Sequence, residues 1–122
     1  MIQNESVVNI ADNTGAKTGL VIRVLKGSRT RFATVGDKVV VAVKSVASTS
    51  NLEKGAVMRG VVVRTRKEIR RPDGSYLRFE DNAIALINKS GDPIGKRIFG
   101  PVARELRLKG FRAVANMAEE II

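Results

Sequence analysis

Apolar residues recur along this chain in short runs, none longer than nine residues. They are Ser6 to Ala11, Leu20 to Leu25, Lys38 to Val46, Val57 to Thr65, Ser75 to Phe79 and Ala83 to Asn88, all rich in Val, Ile and Leu. Runs of that length, rich in β-branched residues, read as strands rather than helices. Turn chemistry separates them: Asp12-Asn13-Thr14-Gly15, Gly36-Asp37, Lys54-Gly55, Pro72-Asp73-Gly74 and Gly91-Asp92-Pro93. In Arg71-Pro72-Asp73-Gly74 the proline presets φ at the first turn position, and Asp and Gly tolerate the next ones, which predicts a hairpin. Five or six short strands in 122 residues predict a mainly β protein, a closed or nearly closed small barrel.

Alternation with a period of two assigns faces. It puts Leu20, Ile22 and Val24 on one face and Arg23 on the other. It sets Leu77 and Phe79 against Tyr76 and Arg78, and Val61 and Val63 against Arg64 and Arg66. An aliphatic interior under an arginine-bearing surface follows. Phe79, Phe99 and Phe111 are assigned to the core. The character changes after residue 95. Pro101 suits the first turn of a helix, Val102 and Leu106 share a face, and Gly110 suits the C-terminal stop. Asn116 followed by Glu119 resembles a capping box, predicting a second short helix with Glu119 and Glu120 in its first turn. The expected organisation is one domain, with a barrel and hairpin over 1–95 and two short helices over 96–122.

Composition narrows the chemistry. The chain has no His, no Cys and no Trp, so zinc, iron–sulfur and haem sites lose their usual ligands and a Ser–His–Asp or Cys–His machine is excluded. No cofactor and no enzymatic activity are expected. Gly91-Asp92-Pro93-Ile94-Gly95-Lys96 has three residues between its glycines and Arg97 after the lysine, so it fails the phosphate-loop pattern. Glu80 and Asp81 are neighbours that face opposite ways on a strand, and they cannot share one substrate atom. The first eleven residues show no basic start followed by a long apolar run, which predicts no signal peptide. The longest apolar run, Val39 to Val43, has five residues, too few for a membrane helix. No membrane partner and no small-molecule substrate are expected.

Charge points to an anionic partner. Lys plus Arg total 22 against 12 acids, a formal charge of +10, with 13 Arg to 9 Lys. The segments 23–31, 64–71 and 96–112 hold 15 of the 22 cations. Arginine forks match phosphate oxygens in pairs. Without a long recognition helix, the major-groove readers of DNA are absent. Five aromatics are few for a base-stacking platform, and only Tyr76 is placed outward beside an arginine. The expected ligand is RNA, read through its phosphates and shape.

Several segments are familiar in order: Ala11-Asp12-Asn13-Thr14-Gly15-Ala16, Val62-Val63-Arg64-Thr65, Arg70-Arg71-Pro72-Asp73-Gly74-Ser75, Arg78-Phe79 with Asp81-Asn82-Ala83, and the run from Gly95 to Leu106 through Arg97-Ile98-Phe99-Gly100-Pro101. With them the chain resembles the bacterial-type L-fourteen family of large-subunit ribosomal proteins, from Met1 to Ile122. The resemblance implies a five-stranded β-barrel with a projecting β-hairpin and two short C-terminal α-helices. It implies a structural constituent of the large subunit that binds large-subunit ribosomal RNA and helps form intersubunit bridges to small-subunit RNA. It also implies a neighbouring ribosomal protein of the L-nineteen type, and docking of the ribosome silencing factor near Lys96 and Arg97. The implied location is a bacterial-type cytoplasmic ribosome, with an organellar one left open. Three departures stand out. Ala47-Ser48-Thr49-Ser50-Asn51 replaces a basic, Pro-containing loop, Ala85 replaces a valine, and the stretch 113–119 lacks the family's usual ending, including a lysine at Ala113.

The expected RNA-binding residues are Arg23, Arg29, Arg31, Arg64, Arg66, Lys67, Arg70, Arg71 and Arg78. The expected bridge or silencing-factor surface is Lys44, Ser48, Lys96 and Arg97. If about eight phosphates are engaged, log K falls with log salt at a slope of roughly −6 to −7. Two other readings stay open: a free-standing nucleic-acid-binding barrel of a translation or chromatin factor, and a docking adaptor acting through 96–122.

Overall fold

The computed structural model describes residues 2–25, 32–48 and 52–122. Five strands form a closed barrel in the order β2 (Val7–Ile10), β3 (Ala16–Val24), β5 (Lys38–Val46), β6 (Val57–Arg64) and β9 (Ala83–Ile87). Each neighbouring pair along that order is antiparallel, and the barrel closes through a parallel pair that sets Asn9 against Ala83 and Ile10 against Ile84. A short pair, β1 (Ile2–Gln3) with β4 (Phe32–Ala33), buries Ile2 and Ala33 in the barrel's core. The interior is aliphatic throughout: Val8, Ile10, Val21, Val39, Val41, Val43, Val62, Ile84 and Leu86 lie in it. β-Branched side chains suit these positions because their stiff χ1 matches the pleated surface.

Two facial assignments differ from expectation. On β3, Val21 and Val24 are buried while Ile22 is 45% exposed. The β3–β5 register shifts between Val21 and Arg23, and one extra residue reverses the faces beyond it. On β6 the barrel interior takes Val62, whereas Val61 and Val63 point the other way. They are buried nonetheless, because the C-terminal segment covers that outer face. Alternation cannot reveal this, since a strand buried on both sides reads as a continuous apolar run. Gly60 permits the close approach of β6 to β9. A Cβ there would lie 2.8 Å from Ile84 Cδ1 and 3.2 Å from the Ala85 carbonyl oxygen.

The covering segment forms a second core. Val61, Val63, Ala83, Ala85 and Ile87 meet Ile98, Val102, Ala103, Leu106, Phe111, Val114 and Ala115. Strand β10 (Ile98–Val102) pairs in parallel with β11 (Ala118–Ile121), and helices α1 (Glu105–Leu108) and α2 (Arg112–Asn116) lie between them in the chain. The two short helices are present, but at shifted places. Pro101 sits in β10, next to a register irregularity between Ile98 and Pro101 where a missing N–H is tolerated. Asn116 ends α2 instead of starting a helix, and Glu119 and Glu120 lie on β11. Parallel pairing with β10, which local capping signals cannot anticipate, decides that stretch. Gly110 does stop α1. Its φ is +96°, its N–H donates to the Arg107 carbonyl at 3.2 Å, and the Phe111 N–H donates to the Leu106 carbonyl at 3.1 Å. That bond pair is a Schellman stop, with Phe111 and Leu106 in the same apolar cluster.

Outside the barrel, β7 (Ile69–Arg70) pairs with β8 (Tyr76–Leu77) as the predicted hairpin. Of the phenylalanines assigned to the core, Phe111 is buried and Phe79 half-buried, but Phe99 is 51% exposed. It stands on the outer side of β10 under the Arg97 guanidinium, 5.5 Å from the ring centroid.

Candidate nucleic-acid interface

The hairpin owes its shape to its turn. The Gly74 N–H donates to the Arg71 carbonyl at 3.0 Å, Gly74 has φ +88°, and the Arg71 N–H donates to the Ser75 carbonyl at 2.9 Å. Asp73 Oδ1 accepts from the Ser75 N–H at 3.0 Å and from its hydroxyl at 2.6 Å. Those bonds, the hydroxyl's first, hold the Asp73 carboxyl below its ordinary range. The ribbon therefore presents two well-defined faces. Ile69, Leu77 and Phe79 turn inward onto the second core. Arg70, Tyr76 and Arg78 alternate with them and are exposed, as are Arg66 and Lys67 just before the ribbon. Lys67 pairs with Glu68 at 3.1 Å, both about half exposed, so water screens that pair heavily.

Two arginines of the expected RNA-binding set turn inward instead. Arg64 is only 12% exposed at its side chain, and its Nε donates to Asp81 Oδ1 at 2.7 Å. Its Nη2 donates to Asp81 Oδ2 at 3.3 Å, and its Nη1 to the carbonyls of Phe99 at 2.8 Å and Pro101 at 3.2 Å. Arg64 thus clips β10 to the end of β6. Asp81 also accepts from Asn9 Nδ2 at 3.0 Å. The Arg64 bond, first, lowers the Asp81 carboxyl below its ordinary range. Arg71 is 13% exposed, with Nε 2.8 Å and Nη2 3.3 Å from the two Glu105 carboxylate oxygens. Its Nη2 also donates to the Ile122 carbonyl. Arg71 ties the hairpin to α1 and to Ile122, just past β11. Sequence reading missed both because acid partners 17 and 34 residues away leave no local trace.

The remaining expected residues fall in two places. Arg23 is exposed near the end of β3, while Arg29 and Arg31 lie outside the described residues. Lys44 is exposed on β5, and Ser48 is exposed just beyond it. The loop after β2 joins that region to Lys96 and Arg97: the Ala47 N–H donates to the Gly15 carbonyl at 2.7 Å, and Asn13 Oδ1 accepts from the N–H groups of Lys96 at 2.8 Å and Arg97 at 3.3 Å. Arg97 is 58% exposed and pairs with Glu119 at 2.5 Å. Ile94 and Phe99, both exposed, make this a mixed apolar and cationic surface.

Asp12, read from sequence as part of a turn, is also buried. It is 3% exposed, its Oδ2 accepts from the Leu86 N–H at 2.8 Å, and its Oδ1 accepts from the Thr14 hydroxyl at 2.6 Å. It fastens the loop after β2 to β9. Among the described residues, no group of three or more His, Cys, Asp or Glu side chains is placed to hold a metal ion.

A closed aliphatic barrel carrying an exposed cationic hairpin and a clipped-on C-terminal segment defines a basic scaffold protein. The family model described as ribosomal protein L14p/L23e matches residues 1–122, so the chain belongs to that family. It is a structural ribosomal protein of the large subunit, in a family that is generally non-enzymatic. Ribosomal RNA and ribosomal proteins are the partners the family implies, and the ribosome is its location.

Proposed function

We propose that the chain binds large-subunit ribosomal RNA through the outer face of its hairpin, with Arg66, Lys67, Arg70 and Arg78 on phosphates. The observation carrying this reading is the division of labour on one ribbon. The inner arginine Arg71 is held by Glu105, whereas Arg70 and Arg78 are exposed without an ion pair among the described residues. Lys67 meets only the exposed Glu68, and the exposed Arg66 donates its Nε to the Glu80 carbonyl at 3.1 Å. Arg23 on β3, with Arg29 and Arg31 from the following stretch of sequence, adds further phosphate contacts. Counting six phosphates, with Arg64 and Arg71 withdrawn and Arg23 at the margin, gives a slope of log K against log salt of about −4 to −5.

The end of the barrel that gathers Lys44, Ser48, Lys96 and Arg97 is assigned to the intersubunit bridge with small-subunit RNA. Its apolar members, Ile94 and Phe99, suit a protein neighbour of the L-nineteen type or the ribosome silencing factor, in a bacterial-type ribosome. A salt titration against a large-subunit RNA fragment tests the hairpin reading. A slope near −4 that becomes shallower by about one for each of Arg70→Ala and Arg78→Ala supports it. A slope shallower than about −2 refutes it, and favours a docking adaptor acting through 96–122.

A further inference from the structure

The outer face of the hairpin carries an aromatic ring that phosphate contacts do not use. Tyr76 is 65% exposed. Its direct cross-strand partner is Arg70, which places their Cβ atoms about 4.5–5.5 Å apart on one face. Arg78 follows two residues on along the same chain, and the exposure alternates through residues 76–79, so it shares that face. Tyr76, Arg70 and Arg78 make no side-chain hydrogen bond or ion pair among the described residues. The cation–π contacts of the described residues involve Phe99 and Phe111, leaving the tyrosine face uncovered. The result is an exposed ring beside two exposed guanidinium groups, with Arg78 within electrostatic reach of Glu68 across the ribbon.

We infer that Tyr76 is a stacking site for one unpaired nucleobase, with Arg70 and Arg78 on the phosphates flanking that nucleotide. This rests on the reading of the hairpin as an RNA contact and sharpens its ligand. A purely paired A-form helix keeps its bases inside the stack, where this ring cannot reach them. A bulged or looped nucleotide offers both a π-face and accessible phosphates, the combination that aromatic and arginine side chains bind together. The hairpin then prefers RNA with an unpaired residue over a continuous duplex of equal charge.

The chain supplies its own reporter, because it has one Tyr and no Trp. Excited at wavelengths that its phenylalanines do not absorb, the full-length protein therefore emits from Tyr76 alone. Two probes suffice: an RNA stem-loop with a single bulged adenosine in its stem, and the same stem-loop without the bulge. Affinity is read by anisotropy of end-labelled RNA, and emission is corrected for RNA absorption with a tyrosine-amide control. The expected result is quenching of Tyr76 on binding the bulged probe, with tighter binding of that probe. Tyr76→Phe keeps the affinity within about twofold, and Tyr76→Leu loses about five- to hundredfold on the bulged probe only, the range for base–aromatic stacking. Because the side chain is exposed, neither variant shifts the melting temperature, which separates loss of stacking from loss of fold. Equal binding of both probes with unchanged emission overturns the stacking site and leaves the phosphate-binding hairpin standing. Failure to bind either probe at low salt overturns both.

Discussion

Arg64 offers the sharpest test, because the sequence and the structure assign it opposite roles. Replacing it with Ala removes a two-pronged contact to Asp81 at 2.7 and 3.3 Å and two donations to the carbonyls of Phe99 and Pro101. Hydrogen bonds involving a charged group contribute about 1.5–3 kcal/mol each, and truncating one partner of a well-buried pair costs about 3–5 kcal/mol. Asp81 is 29% exposed, so water can reach the abandoned carboxylate, and the lower end of that range, about 3 kcal/mol, is the expected loss. An unfolding entropy of about 2.1 cal/mol/K per residue converts this to a fall of about 12 °C in Tm. The assay is thermal unfolding by circular dichroism, run beside RNA binding across a salt series. Arg64→Ala should lower Tm by that amount, and a cycle with Asp81→Asn should be non-additive by at least about 1 kcal/mol. Arg64→Lys should recover less than half of the loss, since an ammonium cannot reproduce the planar fork. A Tm loss under about 3 °C, together with a salt slope shallower by about one, would show a phosphate ligand and refute the clip.

The adjacent pair Arg70 and Arg71 should separate in the same assays. Arg71→Ala loses about 2–3 kcal/mol of stability through Glu105 and the Ile122 carbonyl, whereas Arg70→Ala leaves Tm nearly unchanged and weakens RNA binding; equal effects on stability would contradict the two-faced ribbon. Gly100 has φ +86°, and a Cβ there would lie 2.7 Å from Arg64 Nη1. Gly100→Ala is expected to cost about 2 kcal/mol or more, falling to about 1 kcal/mol in an Arg64→Ala background where only the backbone strain remains; an unchanged cost there would mean that the side-chain clash contributes nothing. The acid limb of stability follows from Asp81. Its carboxyl titrates lower when folded than when unfolded, so its contribution is fully present above the unfolded value of about 3.9 and is lost as pH falls through the lower folded value. Denaturant titrations between pH 7 and 3 should therefore show Asp81→Asn converging on the unmodified chain only below about pH 4, and parallel curves throughout would remove Asp81 from the linkage.

Much of the barrel was legible because its signals are local. Turn residues and short β-branched runs mark strand ends whatever lies around them, so the hairpin turn at Pro72 to Gly74 and the helix stop at Gly110 stand where the residues predict them. Exposure of Tyr76 and Arg78 was equally readable from alternation. Ile22 was not, since a bulge depends on the partner strand, and neither were Val61 and Val63, whose burial depends on a segment some forty residues away. Charge behaves likewise. Composition alone establishes a surplus of ten positive charges and, with it, the expectation of an anionic partner. Which arginines face that partner is another matter. Arg64 and Arg71 look the same in sequence as Arg66 and Arg70, and only the fold brings Asp81 and Glu105 to the first pair and leaves the second exposed, without a carboxylate partner among the described residues. An arginine's role is set by the nearest carboxylate in space, and chain order does not carry that distance.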